Sequence, residues 1–207
     1  MFTLAVMDND KCISSGIAQY FKDRQINVRV MTNAQARDAV SFAAKSDIVI
    51  SELSVFGWDV QAITEIFIKL QLVSPATRLI ILTDLDESAV INYISSLLPR
   101  ARILSKRCDI HRLASEVFSC AAQDDSKPLS FNLKPPKDAL TAREFRLLRF
   151  LASNSSLTDI GHLLDLSVKT VSYHKKNIMR KLNCQTSVEL PSRLARMGYG
   201  MKKRPNK

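Results

Sequence analysis

Along the first 122 residues, short apolar runs alternate with longer stretches of helical spacing. Thr3–Met7, Asn27–Met31, Asp47–Ser51, Arg78–Leu82 and Arg102–Leu104 are rich in Val, Ile and Leu and have strand length. Ser14–Asp23, Ala34–Ala44, Val60–Leu72, Glu87–Leu97 and Ile110–Ala122 repeat their apolar residues with helical period. Strands alternating with helices predict an α/β domain over residues 1–122, a doubly wound, five-stranded parallel sheet. Residues 123–139 break the pattern. They carry Pro128, Pro135 and Pro136 among polar neighbours. Proline fixes φ and lacks an amide donor, so this stretch reads as a linker. Beyond it only helical patterns occur, starting at Thr141, Leu157, Val168 and Thr186. They predict an all-α domain over residues 140–200, followed by a basic tail at residues 201–207.

Charge sharpens that division. The 207-residue chain carries +10, yet residues 1–125 hold 13 Lys/Arg against 15 Asp/Glu, a net −2. Residues 126–207 hold 17 Lys/Arg against 5 Asp/Glu, a net +12. A basic excess confined to one half points to a polyanionic partner for that half. No apolar run approaches the ~18 residues of a membrane helix. The apolar start ends at Asp8 without a basic lead-in, so a cytoplasmic protein without a membrane partner is expected. Cys12, Cys108, Cys120 and Cys184 form no C-x-x-C pair, and the three histidines show no ligand spacing with them. They read as plain thiols, with no metal and no cofactor expected.

In a doubly wound sheet, ligands sit at the carboxyl ends of the strands. The residues there are Asp8 and Asn9, Glu52, Thr83 and Lys106. This set, with Gly16 and the loop Ser51-Glu52-Leu53-Ser54-Val55-Phe56-Gly57, resembles the receiver domain of response regulators. The resemblance implies an acidic pair for Mg²⁺, an aspartate that accepts phosphate, a Thr or Ser that senses it and a Lys that pairs with it. Thr83 and Lys106 fit. Glu52 stands in place of the phosphoacceptor aspartate, Asn9 in place of the second acid, and Phe56 in place of the usual loop proline. A longer carboxylate is misplaced for in-line attack, and a lost charge weakens hold on a hard cation. Little or no phosphoryl transfer is therefore expected. Glu52 is expected to reach Lys106 and Thr83 instead. That contact would either mimic phosphate and fix one constitutive state, or merely satisfy buried charge in a degenerate scaffold.

In the basic half, Thr141 and Glu144 form a capping box, with Phe145, Leu148 and Leu151 inward. Ile160, Leu163 and Leu164 face inward on a second helix. Asp165-Leu166-Ser167 makes a short turn, and Ser167 can cap a third helix running to about Asn183. On that helix Val171, His174, Ile178 and Leu182 line one side; Lys169, Ser172, Tyr173, Lys176 and Arg180 line another. Such a stripe after a tight turn is the layout of a helix-turn-helix. On charge alone the stripe would read as a solvated helix face.

The segment closely resembles the LuxR/FixJ (NarL-type) DNA-binding domain. Matching residues are Leu140, Thr141, Arg143, Glu144, Leu148, Ala152, Asp159-Ile160-Gly161, Leu166-Ser167, Lys169-Thr170-Val171-Ser172, His174, Asn177-Ile178 and Lys181-Leu182. Asn154 departs from a usual Gly, Asp159 from a usual Glu, and Pro191 is expected to interrupt or kink the last helix, which relatives use to dimerise. Stripe and resemblance together assign Ser172, Tyr173 and Lys176 to base edges. Lys169, Thr170, Lys175, Arg180 and Lys181 are assigned to phosphates. His174 is expected to pack against the helical core. Lys202-Lys203-Arg204 would add nonspecific affinity.

The resulting expectation is a sequence-specific transcription regulator of double-stranded DNA, not an enzyme, acting without phosphorylation. It would work as a homodimer or as a heterodimer with a response regulator, like RcsA-like auxiliary regulators, with RNA polymerase a further partner. The alternatives are a phosphorylation-switched response regulator, an acyl-homoserine-lactone sensor and a nonspecific DNA-compacting protein. A single Trp, Trp58, argues against the aromatic pocket of a lactone sensor.

Overall fold

The computed structural model describes residues 2–122, 138–153 and 155–200. Five strands form one sheet: β1 (Thr3–Met7), β2 (Asn27–Val30), β3 (Ile48–Ser51), β4 (Arg78–Thr83) and β5 (Arg102–Ser105). Their order is β2-β1-β3-β4-β5, with every neighbouring pair parallel. Alternate side chains leave the strands on opposite faces. Leu4, Val6, Ile48, Ile50, Ile80 and Leu82 pack on one side with α1 (Lys11–Lys22) and α5 (Ile110–Ala121). Ala5, Met7, Val49, Leu79 and Ile81 pack on the other. That side is covered by α2 (Ala39–Ala44), α3 (Val60–Val73) and α4 (Ser88–Leu97). Covering both faces explains why the strands read as almost unbroken apolar runs.

The expected second helix does not form as one piece. Asn33–Asp38 is a 3-10 helix with no buried residue, and only Ala39–Ala44 is α-helical. Asn33–Asp38 offers no apolar stripe to bury, so nothing holds it in the longer form. The first helix begins earlier than expected, because Asp10 caps it by accepting from the amides of Cys12 and Ile13.

Beyond residue 137 come α6 (Ala142–Ala152), α7 (Leu157–Leu164), α8 (Val168–Lys181) and α9 (Glu189–Arg196). The helix expected from Thr186 starts at Glu189. Pro191 does not interrupt or kink it, contrary to the expectation. It is the third residue of α9, in the first turn, where an amide has no intrahelical acceptor to lose. The proline-rich stretch, Asn154 and the basic tail at Lys202-Lys203-Arg204 lie outside the described residues.

The helical domain rests on the sheet domain. The apolar cluster on the α3–α4 side runs on through Leu140, Phe145, Leu148, Leu190, Leu194, Met197 and Tyr199. Tyr93 of α4 meets Phe145 of α6 at 4.7 Å between ring centroids. The Leu140 amide donates to the Ala89 carbonyl at the start of α4.

Candidate functional site

The receiver-like site is built by the carboxyl ends of β1, β3, β4 and β5. Lys106, just past β5, places its ammonium 2.7 Å from Asp8 Oδ2 and 2.8 Å from Glu52 Oε2. Thr83 Oγ1, at the end of β4, donates to Glu52 Oε1 at 2.5 Å. The Leu53 amide donates to the same oxygen at 2.7 Å. Both Glu52 oxygens are therefore already engaged. The expected reach of Glu52 to Lys106 and Thr83 is the arrangement found. Burial pushes the Asp8 carboxyl up, against the opposing pull of Lys106. Burial would lower the Lys106 ammonium, but the hydrogen bonds it donates to Asp8 and Glu52 outweigh it and hold the group above its ordinary value.

Asn9 departs from this cluster. It is exposed, and its Oδ1 accepts from the Phe56 amide at 3.1 Å. That bond supports a tight turn in which Phe56 has φ +54° and Gly57 φ +81°, closed by the Trp58 amide on the Val55 carbonyl. Proline is confined near φ −65° and could not occupy position 56 in this turn. The acids do not suit a divalent cation. Asp8 already carries Lys106, Asn9 is neutral with its oxygen bonded to the Phe56 amide, and Asp10, which sequence reasoning passed over, caps α1. A cavity of about 340 Å³ lies over the cluster, and Arg196 and Met197 from the helical domain help to line it.

The second candidate surface is the outer side of α8. Its geometry begins with α7, capped by Ser156 and Asp159 in a reciprocal box. Asp165 then reverses the chain in the left-handed conformation, with φ +53° and ψ +52°. The turn requires glycine at 161, where a Cβ would lie 2.7 Å from the Leu166 carbonyl oxygen. Ser167 caps α8 by accepting from the Thr170 amide. Val171 and Ile178 are fully buried, while Lys169, Tyr173, Lys176 and Arg180 are exposed in one stripe. Thr170, Ser172, Lys175 and His174 are half-buried beside it. The His174 ring also stands edge-on to Tyr173 at 5.8 Å.

Lys181 is the correction on this surface. Its side chain is only 8% exposed, and its ammonium lies 2.7 Å from Glu144 Oε2 and 2.8 Å from the Ala139 carbonyl. It ties α8 to the capping box of α6 and does not join the exposed stripe. Spacing carried the signal: Lys181 follows His174 and Ile178 at helical intervals on the inner side. Arg180 remains exposed and makes a 3.3 Å contact with Asp138.

An α/β receiver-like domain followed by a helix-turn-helix domain is thus the class defined by fold and sites. The comparisons agree. Residues 138–193 match the family described as bacterial regulatory proteins, luxR family. This segment is a luxR-family domain, and the chain has homologues among response regulators. The transcriptional regulatory protein UhpA of Salmonella typhimurium is 26% identical over 203 residues, 94% of this chain and 98% of that protein. The Fimbriae Z protein of Salmonella typhimurium is 37% identical over 89 residues, 40% of this chain. The uncharacterized response regulatory protein YgeK of Escherichia coli is 41% identical over 59 residues, 28% of this chain. The chain spans 42% of the Fimbriae Z protein and 40% of YgeK, less than half of either. RcsB from Salmonella enterica serovar Typhimurium, bound to promoter rprA, shares the fold with a TM-score of 0.65 at 20% identity, over 94% of this chain and 99% of that one. Among the described residues, no helix is long and apolar enough to cross a membrane.

Proposed function

We propose that this chain is a sequence-specific DNA-binding transcription regulator that acts without phosphorylation of its receiver-like domain. One observation carries the reading: α8 presents Lys169, Tyr173, Lys176 and Arg180 as an exposed stripe while its opposite side packs into the domain. A helix of this kind enters the major groove, with short polar and aromatic groups toward base edges and cations toward phosphates. Ser172, Tyr173 and Lys176 read bases; Lys169, Thr170, Lys175 and Arg180 hold phosphates. The luxR-family match over residues 138–193 supports this role.

Independence from phosphorylation rests on Glu52, whose two oxygens are bonded to Leu53, Thr83 and Lys106 before any phosphodonor arrives. The chain acts paired, with a second copy or with an ordinary response regulator. The test is selection from a random DNA pool by the purified protein, with and without a phosphodonor and a response regulator. Enrichment of one motif without a phosphodonor is the expected result. A motif that emerges only after phosphoryl label enters the receiver-like domain overturns the reading and makes the chain a phosphorylation-switched regulator.

A further inference from the structure

The turn that follows α9 is inserted into the sheet domain. The Met197 carbonyl accepts from the Val60 amide at 2.9 Å, at the first turn of α3. Gly198, at φ +85°, is pressed against the loop before α3. A Cβ there would lie 2.3 Å from Ser54 Oγ, 3.0 Å from Asp59 Cα and 3.1 Å from the Trp58 carbonyl. Tyr199 is 4% exposed, and its hydroxyl donates to Gln61 Oε1 at 2.8 Å. Around this plug the charges are complementary, acids on the sheet domain and bases on the helical one. Arg196 lies 2.9 Å from Asp86, Arg193 and Arg196 each lie 3.5 Å from Glu87, and Arg149 lies 3.2 Å from Asp59. Glu87 is the costly member. Its side chain is 2% exposed and its oxygens make no hydrogen bond within the described residues, so the two guanidinium groups are what offset its buried charge.

Every seat residue apart from Val60 and Gln61, which open α3, lies on one of two loops. One runs from Glu52 through Ser54 and Trp58 to Asp59. The other runs from Thr83 through Asp86 to Glu87. The hydrogen bond from Thr83 to Glu52 ties the two loops together at their roots, and Thr83 Oγ1 also accepts from the Leu85 amide at 3.1 Å.

We infer that Met197-Gly198-Tyr199 is a latch that seats the helical domain on the sheet domain, with Glu52 as the positioning residue that keeps its two-loop seat in shape. This goes beyond the proposed function, because it gives the altered receiver-like site a task of its own. The closed chain covers the mouth of that site with Arg196 and Met197 while leaving the α8 stripe exposed. Met197 itself is buried in the closed arrangement.

The test compares the full chain with Gly198→Ala, Arg196→Glu and Glu52→Ala, by small-angle scattering and by emission of Trp58. Trp58 is the single tryptophan and adjoins Gly198. Gly198→Ala and Arg196→Glu are expected to raise the radius of gyration and shift Trp58 emission to the red, with helix content kept. Glu52→Ala is expected to move both readouts in the same direction without touching the latch itself. Arg196, at 44% side-chain exposure, is spent on no core, so it decides the matter if Gly198→Ala loses helix content. A closed, wild-type-like Arg196→Glu overturns the latch. A closed Glu52→Ala beside an open Arg196→Glu overturns the role of Glu52.

Discussion

Lys181 points inward to Glu144, 2.7 Å from its carboxylate, although five residues earlier Lys176 stands exposed on the same helix. One lysine joins two helices and the other is free for a polyanion. Breaking a buried pair leaves an uncompensated charge, a loss of about 3 kcal/mol. Lys181→Ala is therefore expected to lower unfolding stability by about that amount, measured by denaturant titration. Lys176→Ala should leave stability within about 0.5 kcal/mol while weakening DNA binding.

The same pair sets an acid limit for the helical domain. Burial pulls the Glu144 carboxyl up, but Lys181 and the Thr141 amide pull it further down, below its ordinary 4.5. An acid with a lowered folded value stabilises the fold above its unfolded value and loses that contribution as pH falls through the folded one. Thermal melts of the wild type should thus weaken below about pH 4.5. Glu144→Gln should start lower and show a shallower acid slope. An unchanged slope would mean that other carboxylates carry the acid response.

At the receiver-like site the sign reverses once the lysine is removed. Lys106→Met leaves Asp8 and Glu52 facing each other with no cation. A deficit of about 3 kcal/mol is expected near neutral pH. Because burial already favours protonated Asp8, the deficit should shrink as pH falls and Asp8 takes up a proton. Thr83→Val removes the hydrogen bond to the Glu52 carboxylate and the one from the Leu85 amide, and should cost less, about 2 kcal/mol. Urea titrations at two pH values separate the two variants.

Two glycines make opposite predictions. Gly161 has the Leu166 carbonyl oxygen 2.7 Å from where a Cβ would stand, so Gly161→Ala should destabilise by about 1–3 kcal/mol. Gly16, inside α1, has open space around it, and Gly16→Ala should stabilise by about 0.5–1 kcal/mol. Thermal unfolding of both variants checks the pair.

On DNA, Tyr173 and Lys169 should separate by what they change. Tyr173→Ala, at an exposed side chain on the reading stripe, should relax preference between sites by about 1–3 kcal/mol. Lys169→Ala should weaken all sites alike and reduce the salt dependence of binding by about one counterion. Equal loss of preference in both variants would remove Tyr173 from the base-reading set.

Much of this was legible in the sequence because burial on both sheet faces writes continuous apolar strands, and because caps such as Thr141 with Glu144 mark helix starts. The cluster of Asp8, Glu52, Thr83 and Lys106 was legible because strand ends converge in a parallel sheet. Three things were not. Asn33–Asp38 carries helix-compatible residues but nothing to bury, so propensity alone misled. Pro191 looked like a breaker, yet its effect depends on whether it falls in the first turn or later. The seat of Gly198 depends on a meeting of residues more than a hundred positions apart, and no local pattern records it. Phe56 shows the reverse case: the sequence revealed a missing proline, and only φ +54° explains why proline is unsuitable there.

The apolar cluster runs without a break from Ala5 and Phe67 to Phe145, Leu194 and Tyr199, through both halves of the chain. Heating should melt them in a single calorimetric transition. Expressing either half without the other would leave it with a raw hydrophobic wound, prone to clump. Evolutionary tinkering with one domain is therefore constrained by the other, since any substitution along the seam is inherited by both.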